Sequence, residues 1–236
     1  MLKKTTALLL FLFLLNSCSV MQKTAKKDLI DDFYTQKTNK EKQKVYADII
    51  DDTLHIYATK LTKNVLKVDT TQAPKVFLPV GKNKDNLEFS LSKTSFDIDF
   101  LTIPLKYRFS KKNVQPQLNT NLNGAVYLGY RTDRYFINYK LNPLQKSERK
   151  TTHIGYSVGI FSGLGNTLMS PTNTNDKLLQ EYDGLVWSKG IAAIFGVNSF
   201  TVGLSIGYDN LMDHNRNVWI YENQPWLGLA FGLNLN

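Results

Sequence analysis

Three residue types that together perform nucleophilic catalysis occur in the C-terminal third of the chain. Asp213 and His214 are adjacent, and Ser170 lies in the preceding predicted loop. A histidine base oriented by a carboxylate activates a serine hydroxyl, so this set would suit an enzyme that modifies lipid A or phospholipid. Any loop of this length contains such residues, and we therefore favour hydrated loops and predict that the protein is not an enzyme.

Carboxylates in the same two loops form a second polar group. Asp176, Glu181 and Asp183 lie in the earlier loop, and Asp209 and Asp213 border the later one. Carboxylate oxygens suit Ca²⁺, but the spacing of an EF-hand loop is missing. The single cysteine excludes a cysteine-rich zinc or iron–sulfur site. We predict no metal site and no cofactor.

The single cysteine, Cys18, follows a segment typical of secretory signal peptides. Lys3 and Lys4 form a positive start, and residues 7–15 are a short apolar stretch. The sequence Leu-Asn-Ser-Cys over 15–18 resembles a bacterial lipobox, in which the cysteine is acylated and becomes the first mature residue. The resemblance implies a lipoprotein signal peptide over 1–17 and lipidation of Cys18. Residues 19–23 contain no acidic residue, which favours an anchor facing the periplasm.

The 236 residues carry 29 Lys+Arg against 20 Asp+Glu. A basic balance can indicate nucleic-acid binding, but secretion and the scatter of the lysines argue against it. Residues 18–85 are polar, and we interpret them as a lipid-anchored linker with one small β-hairpin formed by 45–50 and 53–58.

From residue 86 onward, apolar residues alternate with polar or small ones. In 117–131, one face carries Leu118, Leu122, Val126, Leu128 and Tyr130, and the other is rich in asparagine. A membrane-spanning strand needs about 9–11 residues with this alternation. The same pattern recurs in 151–162, 185–197, 200–209 and 226–235, where small residues oppose bulky apolar ones.

We predict eight strands, at 86–93, 95–109, 117–131, 134–141, 151–162, 185–197, 200–209 and 226–235. The predicted fold is all-β: an antiparallel up-and-down transmembrane β-barrel over 86–236 with a short N-terminal periplasmic extension. Closure is required because an open sheet edge in lipid leaves backbone groups unpaired. The interior of so small a barrel is filled by side chains, so we expect no channel.

Four charged residues in 95–109 define the predicted site. The alternation slips within this stretch, and a β-bulge near Phe100 and Leu101 would restore it. Pro104 fits poorly in a strand interior. With the bulge, four charges face the barrel interior as an ion-pair network: Asp97, Asp99, Lys106 and Arg108. The aromatic residues of the C-terminal part are predicted to form an interfacial girdle: Trp187, Trp219, Tyr221 and Trp226.

Segments 96–108, 219–221 and 225–229 resemble an uncharacterised family of Bacteroidota envelope proteins. More broadly, 86–236 is similar to the eight-stranded outer-membrane barrels of the OmpA/OmpX type. The resemblance implies an outer-membrane location and a barrel fold, and it supplies no reaction.

We therefore expect a structural or interaction role in the cell envelope, with outer-membrane lipid, lipopolysaccharide and an envelope protein as candidate partners. Two alternatives stay open. One is an outer-membrane enzyme that modifies lipid A or phospholipid with His214 as base. The other is a soluble periplasmic β-sandwich lipoprotein with a binding role.

Overall fold

The computed structural model describes residues 29–38, 41–81, 88–111, 114–198 and 200–233. These residues form thirteen β-strands in one antiparallel sheet system. The N-terminal strands are β1 (Asp32–Lys37), β2 (Lys42–Ile50), β3 (Thr53–Thr62), β4 (Val65–Val68), β5 (Lys75–Phe77) and β6 (Val80–Gly81). The following strands are β7 (Glu88–Arg108), β8 (Gln117–Thr120), β9 (Asn123–Leu141), β10 (Ser147–Met169), β11 (Tyr182–Val197), β12 (Phe200–Leu211) and β13 (Pro225–Leu233). Two short 3₁₀ helices cover Thr172–Thr174 and His214–Asn217.

Six long strands pair in a closed cycle, which we call the ring. The order is β7, β9, β10, β11, β12 and β13, and β13 pairs again with β7. The short strand β8 extends the β9 side of β7. Residues 114–116 and the connections 170–181 and 212–224 gather at one end, which we call the loop end. The tight connection at Asn198 lies at the opposite end.

The N-terminal strands form a second cycle with β7, β9 and β10, which we call the extension; residues 78–79 of the chain, rather than a strand pairing, join β5 to β6 in it. β1 pairs with β2 and β7, β2 with β3, β3 with β5, and β6 with the start of β10. Its interior is an apolar core of Tyr34, Val45, Ala47, Leu54, Ile56, Phe77, Phe89, Leu91, Tyr135, Ile137 and Tyr139. The strands β7, β9 and β10 therefore run through both cycles.

The predicted hairpin over 45–58 is present as β2 and β3. Asp51 and Asp52 form its turn with φ of 48° and 62°, a conformation that aspartate tolerates better than most residues. The surrounding residues differ from the predicted linker. Residues 29–38 and 41–81 are mostly strands, because distant partners in β7 and β10 complete their hydrogen bonding.

The predicted breaks between strands near residues 94 and 132 do not occur. β7 spans 21 residues and β9 spans 19. In β7, Phe89 and Leu91 face inward in the extension, whereas Phe96 and Ile98 face outward in the ring. The apolar side chains thus move from the inner to the outer face of β7 while the strand continues. In the sequence, this reversal interrupts the alternation and resembles a turn between two strands. The ring therefore has six strands rather than eight.

The predicted bulge in β7 exists but lies closer to the loop end. Leu229 pairs with Leu105 and Phe231 with Thr102, so β7 holds one extra residue between these pairs. Leu101 and Ile103 consequently face inward, together with Asp97 and Asp99 before the bulge. Pro104 lies within the bulge, where a residue without a backbone N–H interrupts no regular ladder.

Candidate functional site

Exposed apolar side chains cover the outside of the ring, and we call this surface the belt. Leu204 is 68% exposed, Phe96 63% and Ile160 60%. Further members are Ile98, Phe100, Val126, Leu128, Tyr130, Tyr156, Val158, Ile191, Phe195, Ile206, Leu227 and Phe231. Monomeric soluble proteins rarely expose a contiguous apolar surface of this extent.

The belt ends where the ring meets the extension. On β9, the outward face changes from Leu128 and Tyr130 in the ring to a mixed run in the extension: Arg134, Phe136, Asn138 and Lys140. The hydroxyls of Thr94 and Thr132 lie 3.4 Å apart on neighbouring strands at this border. The outside of the molecule is thus apolar around the ring and of mixed character around the extension, where Lys140 and Lys150 are exposed beside Val76 and Leu141.

A buried charge cluster lies inside the ring toward the loop end. Lys106 and Arg108 are each 1% exposed, and Asp209 is fully buried. Asp209 binds Lys106 Nζ at 3.0 Å and also accepts from Arg108 Nη2 and from the Ser188 hydroxyl. Lys106 Nζ further donates to Asn123 Oδ1 at 2.8 Å and to Ser188 Oγ at 2.9 Å. Three acceptors therefore use the three hydrogens of the ammonium group.

Aromatic rings enclose these two cations. The Lys106 ammonium lies 4.6 Å from the Trp226 ring centre. The Arg108 guanidinium lies 4.9 Å from the Trp219 ring and 5.4 Å from the Tyr221 ring. The predicted girdle is thus wrong for these three aromatic residues, which are buried. Each faces the interior because a buried cation is stabilised by an aromatic face.

Trp187 is the member of the predicted girdle that faces outward. It is 43% exposed, and its indole N–H donates to Ser162 at 2.9 Å. The Lys189 ammonium lies 4.4 Å from its ring.

All four predicted interior charges are buried, but Asp209 supplies the carboxylate that binds Lys106 and Arg108. Asp97 and Asp99 instead lie in register with Gly129 and Tyr127, nearer the extension. Seven residues of extended strand separate Asp99 from Lys106, a distance of about 20 Å at ~3.3 Å per residue. The four charges predicted to form one network therefore lie in two groups along β7: Asp97 and Asp99 nearer the extension, and Lys106 and Arg108 nearer the loop end.

A second polar layer separates the ring interior from the extension core. Asp133 accepts from Arg131 Nε at 2.8 Å, and its Oδ1 lies 2.7 Å from His153 Nε2. The His153 ring stacks on Tyr135 at 4.8 Å. Lys93, in register with Asp133, binds Asp32 of β1. These contacts join the two parts of the molecule.

The proposed catalytic set is not assembled. Asp213 accepts from the Tyr182 hydroxyl at 2.8 Å and from the Asn215 backbone N–H at 2.7 Å. His214 is exposed, and in the described ranges no hydrogen bond joins it to Asp213 or Ser170. The described residues also contain no cluster of His, Cys, Asp and Glu that could hold a metal ion. Cys18 lies outside the described residues.

The sequence did not identify Asp209, Ser188 and Asn123 as partners of the interior cations. Their inward parity was visible in the alternation, but their proximity depends on which strands are neighbours across the ring. The large Trp226 ring was also missed as an interior residue. Gly207 and Gly228 indicated it, because a Cβ at either position would lie within 2.8 Å of this ring.

Comparison of the chain with family models, with curated proteins and with solved structures finds no match. Among the described residues, no helix has the length and apolar character needed to cross a membrane.

Proposed function

We propose that the ring is a six-stranded transmembrane β-barrel of the bacterial outer membrane and that the extension lies in the periplasm. The main support for this proposal is the distribution of side chains, which is the reverse of that in a soluble protein. Large apolar residues cover the outside of the ring, while Lys106, Arg108 and Asp209 are buried inside.

The closed pairing supports the proposal on a second ground. Lipid offers no hydrogen-bond partner, so a spanning sheet must satisfy its own backbone groups by closing. The pairing of β13 with β7 provides this closure. The start of β7 and the described end of β13 then lie at the same side, together with the extension.

We propose a structural or interaction role rather than catalysis or transport. Buried side chains of Lys106, Tyr127, Phe161 and Trp226 occupy the interior, which supports a filled interior rather than a channel. Outer-membrane lipid would contact the belt, lipopolysaccharide the outer leaflet at the loop end, and an envelope protein the extension. Lipidation of Cys18 would add an anchor at the periplasmic side.

The test is membrane retention of a Cys18→Ala variant with an ordinary signal-cleavage site. We expect the variant to remain in the outer-membrane fraction and to migrate differently on a gel when boiled and unboiled. Small barrels keep their fold in detergent until heated, which produces this shift. A protein that becomes soluble and shows no shift would refute the barrel and favour a tethered periplasmic domain.

A further inference from the structure

Arg108 has hydrogen-bonding capacity that the buried cluster does not use. Its Nη2 binds Asp209, whereas its Nε and Nη1 have no acceptor among the described residues although both are buried. A buried guanidinium group normally has partners for its N–H groups, because desolvation without hydrogen bonds is costly. Two donor positions of a charged group are therefore available inside the ring.

Further buried donors without acceptors belong to the aromatic residues that lie near Arg108 and Lys106. The indole N–H groups of Trp219 and Trp226 and the hydroxyl of Tyr221 are buried and without a partner in the described part of the chain. Trp219 and Tyr221 flank the guanidinium, and Trp226 lies in register with Arg108 on β13. The residues around this position thus offer N–H and O–H donors.

The charges of the cluster leave one positive charge in excess. Lys106 and Arg108 are cations, and Asp209 is the carboxylate that both of them bind. Lys106 has its three hydrogens occupied, so the unfilled donor positions of this cation pair belong to Arg108. The carboxylate of the nearby loop, Glu222, is engaged by Asn210, Arg216 and the backbone N–H of Leu211.

We infer that Arg108 and its aromatic neighbours bind a small monovalent anion of the halide class. One negative charge would balance the excess, and spherical anions accept hydrogen bonds from several directions. Trp219 and Tyr221 belong to the connection 212–224, so the anion would enter from the loop end. The inference concerns the interior of the ring and does not depend on which solvent surrounds the belt.

The test uses bromide, a heavy-atom quencher of tryptophan fluorescence. The chain has three tryptophans, and Trp187→Phe leaves only Trp219 and Trp226 as reporters. The folded variant in detergent micelles is titrated with sodium bromide against sodium gluconate at constant ionic strength. We expect saturable quenching that chloride reverses and gluconate does not. Quenching that rises linearly with bromide would overturn the site, and water would then satisfy the donors.

Two further substitutions in the Trp187→Phe background test the assignment to Arg108. Arg108→Met should raise the half-saturating bromide concentration by about tenfold or more, since a charged hydrogen bond is lost. Lys177→Met, which removes an exposed loop cation, should leave it unchanged. If Arg108→Met does not fold, Asp209→Asn serves instead, because a larger excess charge should lower the half-saturating concentration. Unchanged or weaker binding in folded Asp209→Asn would overturn the proposal.

The gel mobility of boiled and unboiled samples from the same preparations tests the barrel independently of the anion site. A preparation that shifts on heating but shows no saturable quenching would refute the anion site and leave the proposed function intact. Saturable quenching in a protein that does not shift would refute the barrel alone.

Discussion

Asp209 is the residue on which the loop-end charge cluster depends. It is the acceptor for Lys106, Arg108 and the Ser188 hydroxyl, and it is fully buried. Removing one partner of a buried ion pair leaves the other charge without compensation, which is costlier than losing an exposed pair. The interior of the ring therefore responds strongly to one carboxylate.

We expect Asp209→Asn to lower the free energy of unfolding by about 3 kcal/mol, because two cations lose their shared counter-charge. A urea titration in detergent micelles, followed by tryptophan fluorescence, measures the change. Asp176→Asn is the matched control, because Asp176 is exposed and already has a positive φ of 59° that asparagine tolerates. Equal stability of the two variants would show that the cluster does not stabilise the ring.

At the scale of elements, the ring depends on strands that approach one another closely. A Cβ on Gly163 of β10 would lie 2.1 Å from the Gly124 carbonyl oxygen of β9. A Cβ on Gly159 would lie 2.2 Å from the Leu128 carbonyl oxygen. Both obstacles are backbone atoms, which cannot rotate away as a side chain can. Glycine at these positions allows β9 and β10 to curve together within a narrow ring.

Gly163→Ala should therefore destabilise the ring by about 1–3 kcal/mol, the usual cost of overpacking. Gly124→Ala, on the neighbouring strand, is the control, because its Cβ would meet nothing within 4 Å. The control should be neutral or slightly more stable, since glycine is unfavourable in a strand. Urea midpoints of the two variants in micelles measure the difference. Similar midpoints would contradict the role assigned to the close approach.

The elements that the sequence could predict are those whose apolar residues keep one parity along the segment or that have a recognisable turn. The alternations in 151–162 and 200–209 correspond to parts of β10 and β12, and the hairpin of β2 and β3 has a recognisable turn. In β7 and β9, the apolar face reverses where the surroundings change, and the pattern alone cannot distinguish a reversal from a turn. The alternation in 200–209 puts Asp209 opposite the bulky apolar residues, but its pairing with Lys106 depends on the closure between β13 and β7.

At the scale of the whole molecule, three strands cross a border between two surroundings. The outward face of β10 changes from Lys150 and Thr152 in the extension to Tyr156, Val158 and Ile160 in the ring. If the belt contacts lipid, a charged side chain introduced on the belt should destabilise the folded protein. The same side chain introduced on the extension should change the stability little.

We expect Ile160→Arg to destabilise the folded protein by about 2–4 kcal/mol in lipid bilayers, the range for arginine near the bilayer centre. Thr152→Arg, on the same strand and face but in the extension, should change stability by less than about 0.5 kcal/mol. The fraction of each variant that shows the heat-dependent gel shift in the outer-membrane fraction gives the comparison. Equal folding of both variants would indicate that water, not lipid, surrounds the belt.

The passage of β7, β9 and β10 through both cycles also determines the order of assembly. If the chain is exported as proposed, the extension leaves first, yet β1 needs residues 90–92 of β7 and β6 needs residues 147–148 of β10. Contacts between residues far apart in sequence form slowly, because a long loop must close first. The hairpin of β2 and β3 can form early, while its neighbours wait with unpaired edges until the later strands arrive. On the proposed route, the first segment to enter the periplasm would be the last to complete its fold, and it would require protection from aggregation throughout that interval.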